Sequence, residues 1–251
     1  MLHEPYIRKV ENAQIAVLMI HGIVGSPSHF KDLLPLIPEN WSVYNILLPG
    51  HGGEVEDFSK SSMTAWKACA QEHFDDLCSQ HEKVVLIGHS MGTLFSIQMA
   101  LQRPEMVAFL MLIDVPLRLG IKLFGVRNLI RFAFGTLDLS DPVQEATSRI
   151  CSIPPTMRIW RYLGWIPRMV ELLRQMYLTA KLISDLQIPA IAFQSKHDEL
   201  VSARSDRILL DSSNVETHVL ECSTHFYYHH NDVETVRTAL DKLCQDWNRT
   251  P

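Results

Sequence analysis

The amino-acid sequence predicts an α/β fold with a mostly parallel central sheet flanked by helices. Two observations predict it: short apolar runs with no polar alternation, and segments of helical length between them. A strand buried on both faces loses the in-out alternation of a half-exposed strand, so continuous apolar runs suit a parallel sheet between helical layers. Their regular exchange with helices is the pattern of an α/β domain. At 251 residues, 47% hydrophobic, the chain is long and apolar enough to bury a sizeable core.

The apolar runs fall at residues 16–20, 41–47, 84–87, 109–113, 190–194 and 217–220, with a further strand or hairpin near 6–10. A helix is expected at 28–36, before Pro38, and another at 63–80, where Trp66, Ala70, Phe74 and Leu77 recur at helical spacing. Two more are expected, at 91–102, stopped by Pro104, and at 203–211. From residue 116 the pattern changes. Helices are expected at 117–134, 142–151 and 166–182, with no strand before Pro189. This divides the chain into a core of residues 1–115 and 186–251 and a helical cap of residues 116–185. The cap is expected after the sixth strand, above the sheet edge where parallel sheets bind ligands. Residues 116–183 hold ten Lys and Arg against four Asp and Glu, a net charge of +6, which leaves −11 for the rest of a −5 chain.

That net charge argues against a nucleic-acid partner held through phosphates. The opening residues lack the basic start, apolar run and small-residue cleavage site of a secretory signal. Their longest apolar run, 15–20, is far below the ~20 residues that span a bilayer. No transmembrane segment is expected, and the location is read as cytoplasmic. Cys69, Cys78, Cys151, Cys222 and Cys244 are odd in number and without close spacing, which reads as buried free thiols. The 12 His include no metal-ligand spacing, so no metal is expected.

The run KVVLIGHS followed by MGTLFSIQMALQ sets Gly88-His89-Ser90-Met91-Gly92 between a strand and a helix. A strand that turns directly into a helix strains the central backbone and lifts the serine hydroxyl above the sheet. The flanking positions must be nearly without side chains for the two elements to pass, hence the glycines. Ser90 is the candidate nucleophile. The helix start offers the Met91 amide to a developing oxyanion.

A serine needs a base, and the base needs a carboxylate to hold it. Asp198 follows the 190–194 strand, in Ser195-Lys196-His197-Asp198-Glu199, and His225 follows the last strand, in Cys222-Ser223-Thr224-His225. Both then sit past carboxyl ends of strands, on the edge that carries Ser90. Asp114, closing the 109–113 strand, is the rival acid; His197, His218, His229 and His230 are the rival bases. Glu199 is expected to point elsewhere, and His89 to be structural and face away from the base. Gly22, in His21-Gly22-Ile23-Val24-Gly25, lets the chain turn and expose the Ile23 amide as the second oxyanion donor.

With these motifs and Leu48-Pro49-Gly50-His51-Gly52, the chain resembles the α/β-hydrolase superfamily and is similar to small bacterial carboxylesterases and monoacylglycerol-lipase-like enzymes. The resemblance implies an α/β-hydrolase fold, Ser90 as nucleophile, Asp198 as acid, His225 as base, Ile23 and Met91 as amide donors, and a cap from about 116 to 185. Thr224 stands where such families often carry Gly. The expected activity is hydrolysis of carboxylic esters with apolar, short- to medium-chain acyl groups, with no cofactor. Phe124, Phe132, Trp160 and Trp165 are candidates to line the acyl pocket. A thioesterase, an acyltransferase, a C–C bond hydrolase or a non-catalytic binding module stays open as an alternative, and no oligomeric state is read.

Overall fold

The computed structural model describes residues 3–120 and 122–248. Seven strands form one sheet: β1 (Tyr6–Arg8), β2 (Ile15–Ile20), β3 (Ser42–Ile46), β4 (Lys83–His89), β5 (Val107–Ile113), β6 (Ala190–Ser195) and β7 (Val215–Leu220). Their spatial order is β1-β3-β2-β4-β5-β6-β7, and only β1 runs antiparallel to its neighbour. Among the described residues eight α-helices accompany it: α1 (Val55–Lys60), α2 (Met63–Gln80), α3 (Met91–Gln102), α4 (Leu123–Ala133), α5 (Pro142–Ile150), α6 (Ile166–Leu182), α7 (Arg204–Leu210) and α8 (His230–Asn248).

The sheet divides two apolar layers. Ala16, Leu18 and Ile20 of β2 face Trp66 and Phe74 of α2 and Leu94 of α3. The alternate residues Val17 and Met19 face Phe30, Trp41 and the α8 residues Val236 and Leu240. Burying a side chain of this size fully contributes about 1.5–3 kcal/mol, so both faces of the central strands must be apolar. That is why their sequence shows no alternation.

Helices α2, α3 and α6 span the residues expected of them. The expected 28–36 helix is instead two short 3-10 turns, Pro27–Phe30 and Leu34–Leu36. Pro35 lacks the amide that an α-helix would need there to bond the Lys31 carbonyl. The short α1 escaped sequence reading because six residues carry little periodicity. Helix α4 starts at Leu123 rather than 117, since residues before it are held extended by a bridge from Leu119 to Val201. The helical insertion leaves β5, the fifth strand among the described residues, not the sixth. The amino-terminal edge supplies one three-residue strand and no second one.

All five cysteines are free, but Cys222 is exposed and Cys69 half-buried, so the thiols are not uniformly interior. Among the described residues no helix is long and apolar enough to cross a membrane.

Candidate active site

Ser90 lies between the last residue of β4 and the first of α3, with φ 50° and ψ −120°, a backbone that costs on the order of 1–3 kcal/mol in a non-glycine residue. The surroundings hold it there. Its amide donates to the Ile113 carbonyl at 2.8 Å, and its carbonyl accepts from the Thr93 amide at 2.9 Å and the Thr93 hydroxyl at 2.6 Å. The glycine spacing has a direct cause. A Cβ on Gly88 would lie 2.7 Å from the Thr93 backbone, and one on Gly92 only 1.9 Å from the Ile20 carbonyl oxygen.

The turn after β2 comes against the same point. A Cβ on Gly22 would meet the Ser90 Cβ at 2.9 Å, so the backbone leading into Ile23 runs beside the serine. His21 braces this turn: its Nδ1 donates to the Gly22 carbonyl at 2.8 Å and its Nε2 accepts from the Leu48 amide at 3.1 Å. Burial lowers its pKa to about 4, which keeps the ring neutral and able to accept.

His225, past β7, donates from Nδ1 to Asp198 Oδ2 at 2.7 Å. The other Asp198 oxygen, Oδ1, accepts from the Leu200 and Val201 amides at 2.7 and 2.8 Å, which fixes the carboxylate in orientation. Thr224 makes the local turn tight without glycine: its amide donates to the Tyr227 carbonyl at 2.8 Å, and its hydroxyl accepts from the Tyr227 amide.

Two expectations need correction. Glu199 does not point elsewhere, because its Oε2 accepts from the His225 amide at 3.1 Å. His89 does not face away from His225: the two rings are 4.9 Å apart, and His89 Nε2 donates to the His225 carbonyl at 3.2 Å. Neither was legible, since both contacts join loops that meet only when β4, β6 and β7 take their places in one sheet.

Asp114 is committed to other partners. It is fully buried with φ 53°, its Oδ1 accepts from the Ser195 amide at 2.7 Å, and its Oδ2 accepts from the Tyr228 hydroxyl at 2.6 Å. Burial and then the Asp198 charge raise its carboxyl to about 7. His89, Asp114 and His225 set three ligand-type atoms within 4.8 Å of one another. Each of the three side chains is already tied into the hydrogen-bond network just described.

The imidazoles are not equivalent. Burial lowers His29 to about 3 and holds His51 and His89 well below 6.5. Burial also acts against a charged His225, but the charge and hydrogen bond of Asp198, with Asp114 and Glu199 behind them, outweigh it and raise the ring to about 9. A step that needs neutral His225 therefore speeds up as pH rises. The acid limb of kcat/KM is expected to have its midpoint above 6.5 and to move down in the Asp198→Asn protein; a wild-type midpoint at or below 6.5 would contradict this. The same shift stabilises the fold most below pH 6.5, and that contribution is lost as pH rises through about 9.

The helical insertion is tied to the loops on two sides of Ser90. The Gly120 and Lys122 amides donate to the Leu200 and Glu199 carbonyls, on the acid side, at 3.0 and 2.9 Å. The Ser152 amide donates to the Val24 carbonyl, beside Ile23, at 2.9 Å. Ser90 itself is 5% exposed. Of the four aromatic pocket candidates, Phe132 lines a cleft of about 500 Å³ with Leu137, Cys151 and Ile153. Trp165 packs on Phe58 and donates to the Val55 carbonyl. Phe124 and Trp160 are exposed, Trp160 by 64%.

The Alpha/beta hydrolase family model matches residues 17–238. A thermostable monoacylglycerol lipase of Bacillus sp. (strain H-257) is 23% identical over 233 residues, covering 89% of this chain and 86% of that protein. A structure from work on LipS and LipT, two metagenome-derived lipolytic enzymes, superposes with a TM-score of 0.72 at 21% identity, covering 97% of both chains. The monoacylglycerol lipase of Paleococcus ferrophilus gives a TM-score of 0.66 at 17% identity, covering 96% of this chain and 99% of that one.

Proposed function

The chain belongs to the alpha/beta hydrolase family, and from that premise we propose that it hydrolyses carboxylic esters through Ser90, His225 and Asp198. The observation that carries the reading is the 2.7 Å bond from His225 to an Asp198 oriented by two amides, on the sheet edge that also bears the strained Ser90. His225 takes the Ser90 proton as the hydroxyl oxygen attacks the ester carbonyl, and Asp198 steadies the imidazolium. The Ile23 and Met91 amides receive the oxyanion. The alcohol leaves with a proton from His225, and water, activated by the same ring, then releases the acid.

Residues 116–185 act as the cap of this site. The apolar cleft beside Phe132 includes Ser152, which is bonded to the loop carrying Ile23; this supports an apolar acyl group, whose length we take as short to medium. The monoacylglycerol lipase activity named for the Bacillus relative supports an ester substrate. The five free thiols support a reducing, cytoplasmic setting.

The purified protein is expected to turn over p-nitrophenyl esters of short and medium chain faster than acyl-CoA thioesters or diketones. Ester turnover no better than the uncatalysed rate would overturn the proposal. Asp198→Asn is expected to lower kcat by about 10⁴-fold. Asp114→Asn should stay within about tenfold of the parent, because an amide oxygen still accepts from Ser195. The reverse ranking would transfer the acid role to Asp114.

A further inference from the structure

Helix α4 is amphipathic in the wrong sense for a helix facing water. The stripe it turns inward is Gly125, Asn128 and Phe132, while Leu123, Val126, Leu129 and Ile130 face out, Leu123 by 86% and Ile130 by 52%. A surface helix ordinarily buries its large apolar residues and exposes the small and polar ones. Rotation does not cure this, because a Cβ on Gly125 would already lie 2.9 Å from Glu199, so only glycine lets this face approach. Helix α6 adds a second uncovered apolar face. It does bury Met176 against the core, but beside it lie the buried polar residues Gln175 and Thr179, with Thr179 accepting from Gln98 at 2.7 Å, and Val170, Leu173, Tyr177 and Leu178 are left exposed. The 3-10 segment Ile159–Trp165 between them buries none of its residues.

The charge on this layer is one-sided. Residues 117–137 contain Arg118, Lys122, Arg127 and Arg131 and no acid. Over residues 116–183, two of the four acids, Glu145 and Glu171, sit in ion pairs with Arg149 and Arg168, and Asp138 and Asp141 are engaged by Ser140 and Gln144. The exposed bases Lys122, Arg127, Arg158 and Arg174 interleave with the exposed apolar side chains. Apolar faces studded with Lys and Arg, together with Trp160 and Tyr177, fit a surface that offers hydrocarbon beneath a negatively charged headgroup layer.

We propose that the outer face of the helical insertion, centred on α4, docks on an anionic lipid bilayer. A second copy of the chain is the poorer occupant, since a two-fold contact would press two net-positive faces together. The −11 remainder would be repelled by the same bilayer, which orients the molecule insertion-first.

The test is co-sedimentation with vesicles of phosphatidylcholine alone and of phosphatidylcholine mixed with phosphatidylglycerol. It is run on the Ser90→Ala protein, so that binding is read whether or not the ester-hydrolase proposal holds. Binding to the mixed vesicles is expected to fall about tenfold or more in Leu123→Glu/Ile130→Glu, and severalfold in Lys122→Glu/Arg127→Glu and at raised salt. Circular dichroism of both variants should match the parent. No binding to the mixed vesicles overturns the proposal, as does equal binding to both vesicle types. A concentration-dependent dimer that Leu123→Glu/Ile130→Glu abolishes, without vesicle binding, also overturns it and gives the face to a second copy.

Discussion

Replacing Ser90 by Ala is expected to lower kcat toward esters by about 10⁶-fold while leaving the melting temperature equal or higher. The loss follows from removal of the attacking oxygen; the retained stability follows from what holds residue 90. Its amide and carbonyl make the bonds to Ile113 and Thr93, and those remain in alanine. The φ of 50° is as unfavourable for Ala as for Ser, so the strain is unchanged. His225→Ala should cost a similar factor, and the double variant little more, because the two act in one step. Single-turnover kinetics on a p-nitrophenyl ester measures all three. A Ser90→Ala protein that keeps more than a small fraction of parental turnover would mean that another side chain attacks.

The second large effect concerns packing. Gly92→Ala is expected to destabilise the fold by about 4 kcal/mol or more, a fall in Tm of about 10 °C, or to prevent soluble expression. The added Cβ would lie 1.9 Å from the Ile20 carbonyl oxygen and 3.0 Å from that of His21. Both are backbone atoms, one in the central strand β2 and the other in the turn braced by His21, so no side chain can swing away. Relief requires α3 to lift from the sheet, which also shifts Ser90 and the Met91 amide. Gly135 is the internal comparison: a Cβ there meets nothing nearer than 3.9 Å, and its cost is limited to a left-handed φ of 62°, about 1 kcal/mol. Thermal unfolding of the two alanine variants checks the ranking, and a Gly92→Ala protein melting with the parent would refute the packing argument.

Much of the frame was legible because its causes are local. Trp66, Ala70, Phe74 and Leu77 announce α2 by spacing alone, and all four are buried. The glycines around Ser90 announce the elbow because a close approach of strand and helix excludes side chains there, and the structure meets that demand with contacts under 3 Å. The positions of Asp198 and His225 past successive strands were legible from chain order, since adjacent parallel strands bring their carboxyl ends to one edge. The side-chain partnerships were less so. Asp198 was the expected acid and Asp114, at the end of the neighbouring strand, its rival; Asp114 bonds to Tyr228 and Ser195 while Asp198 bonds to His225.

The insertion marks the limit most clearly. Its helices were readable from periodicity, and α6 has the bounds expected of it. The direction in which they face was not readable: Phe124 and Trp160 look like pocket residues in sequence and stand in solvent in the fold. Periodicity reports that a helix has an apolar face, not what lies against it. By itself the order of residues determined the strands of the sheet, the long helices α2, α3 and α6, the elbow and the edge on which the candidate groups gather, because each depends on neighbours within a turn or two. Only the tertiary structure decided which carboxylate holds His225 and which helix faces remain uncovered, because those choices are made between segments that approach one another only once the sheet has assembled.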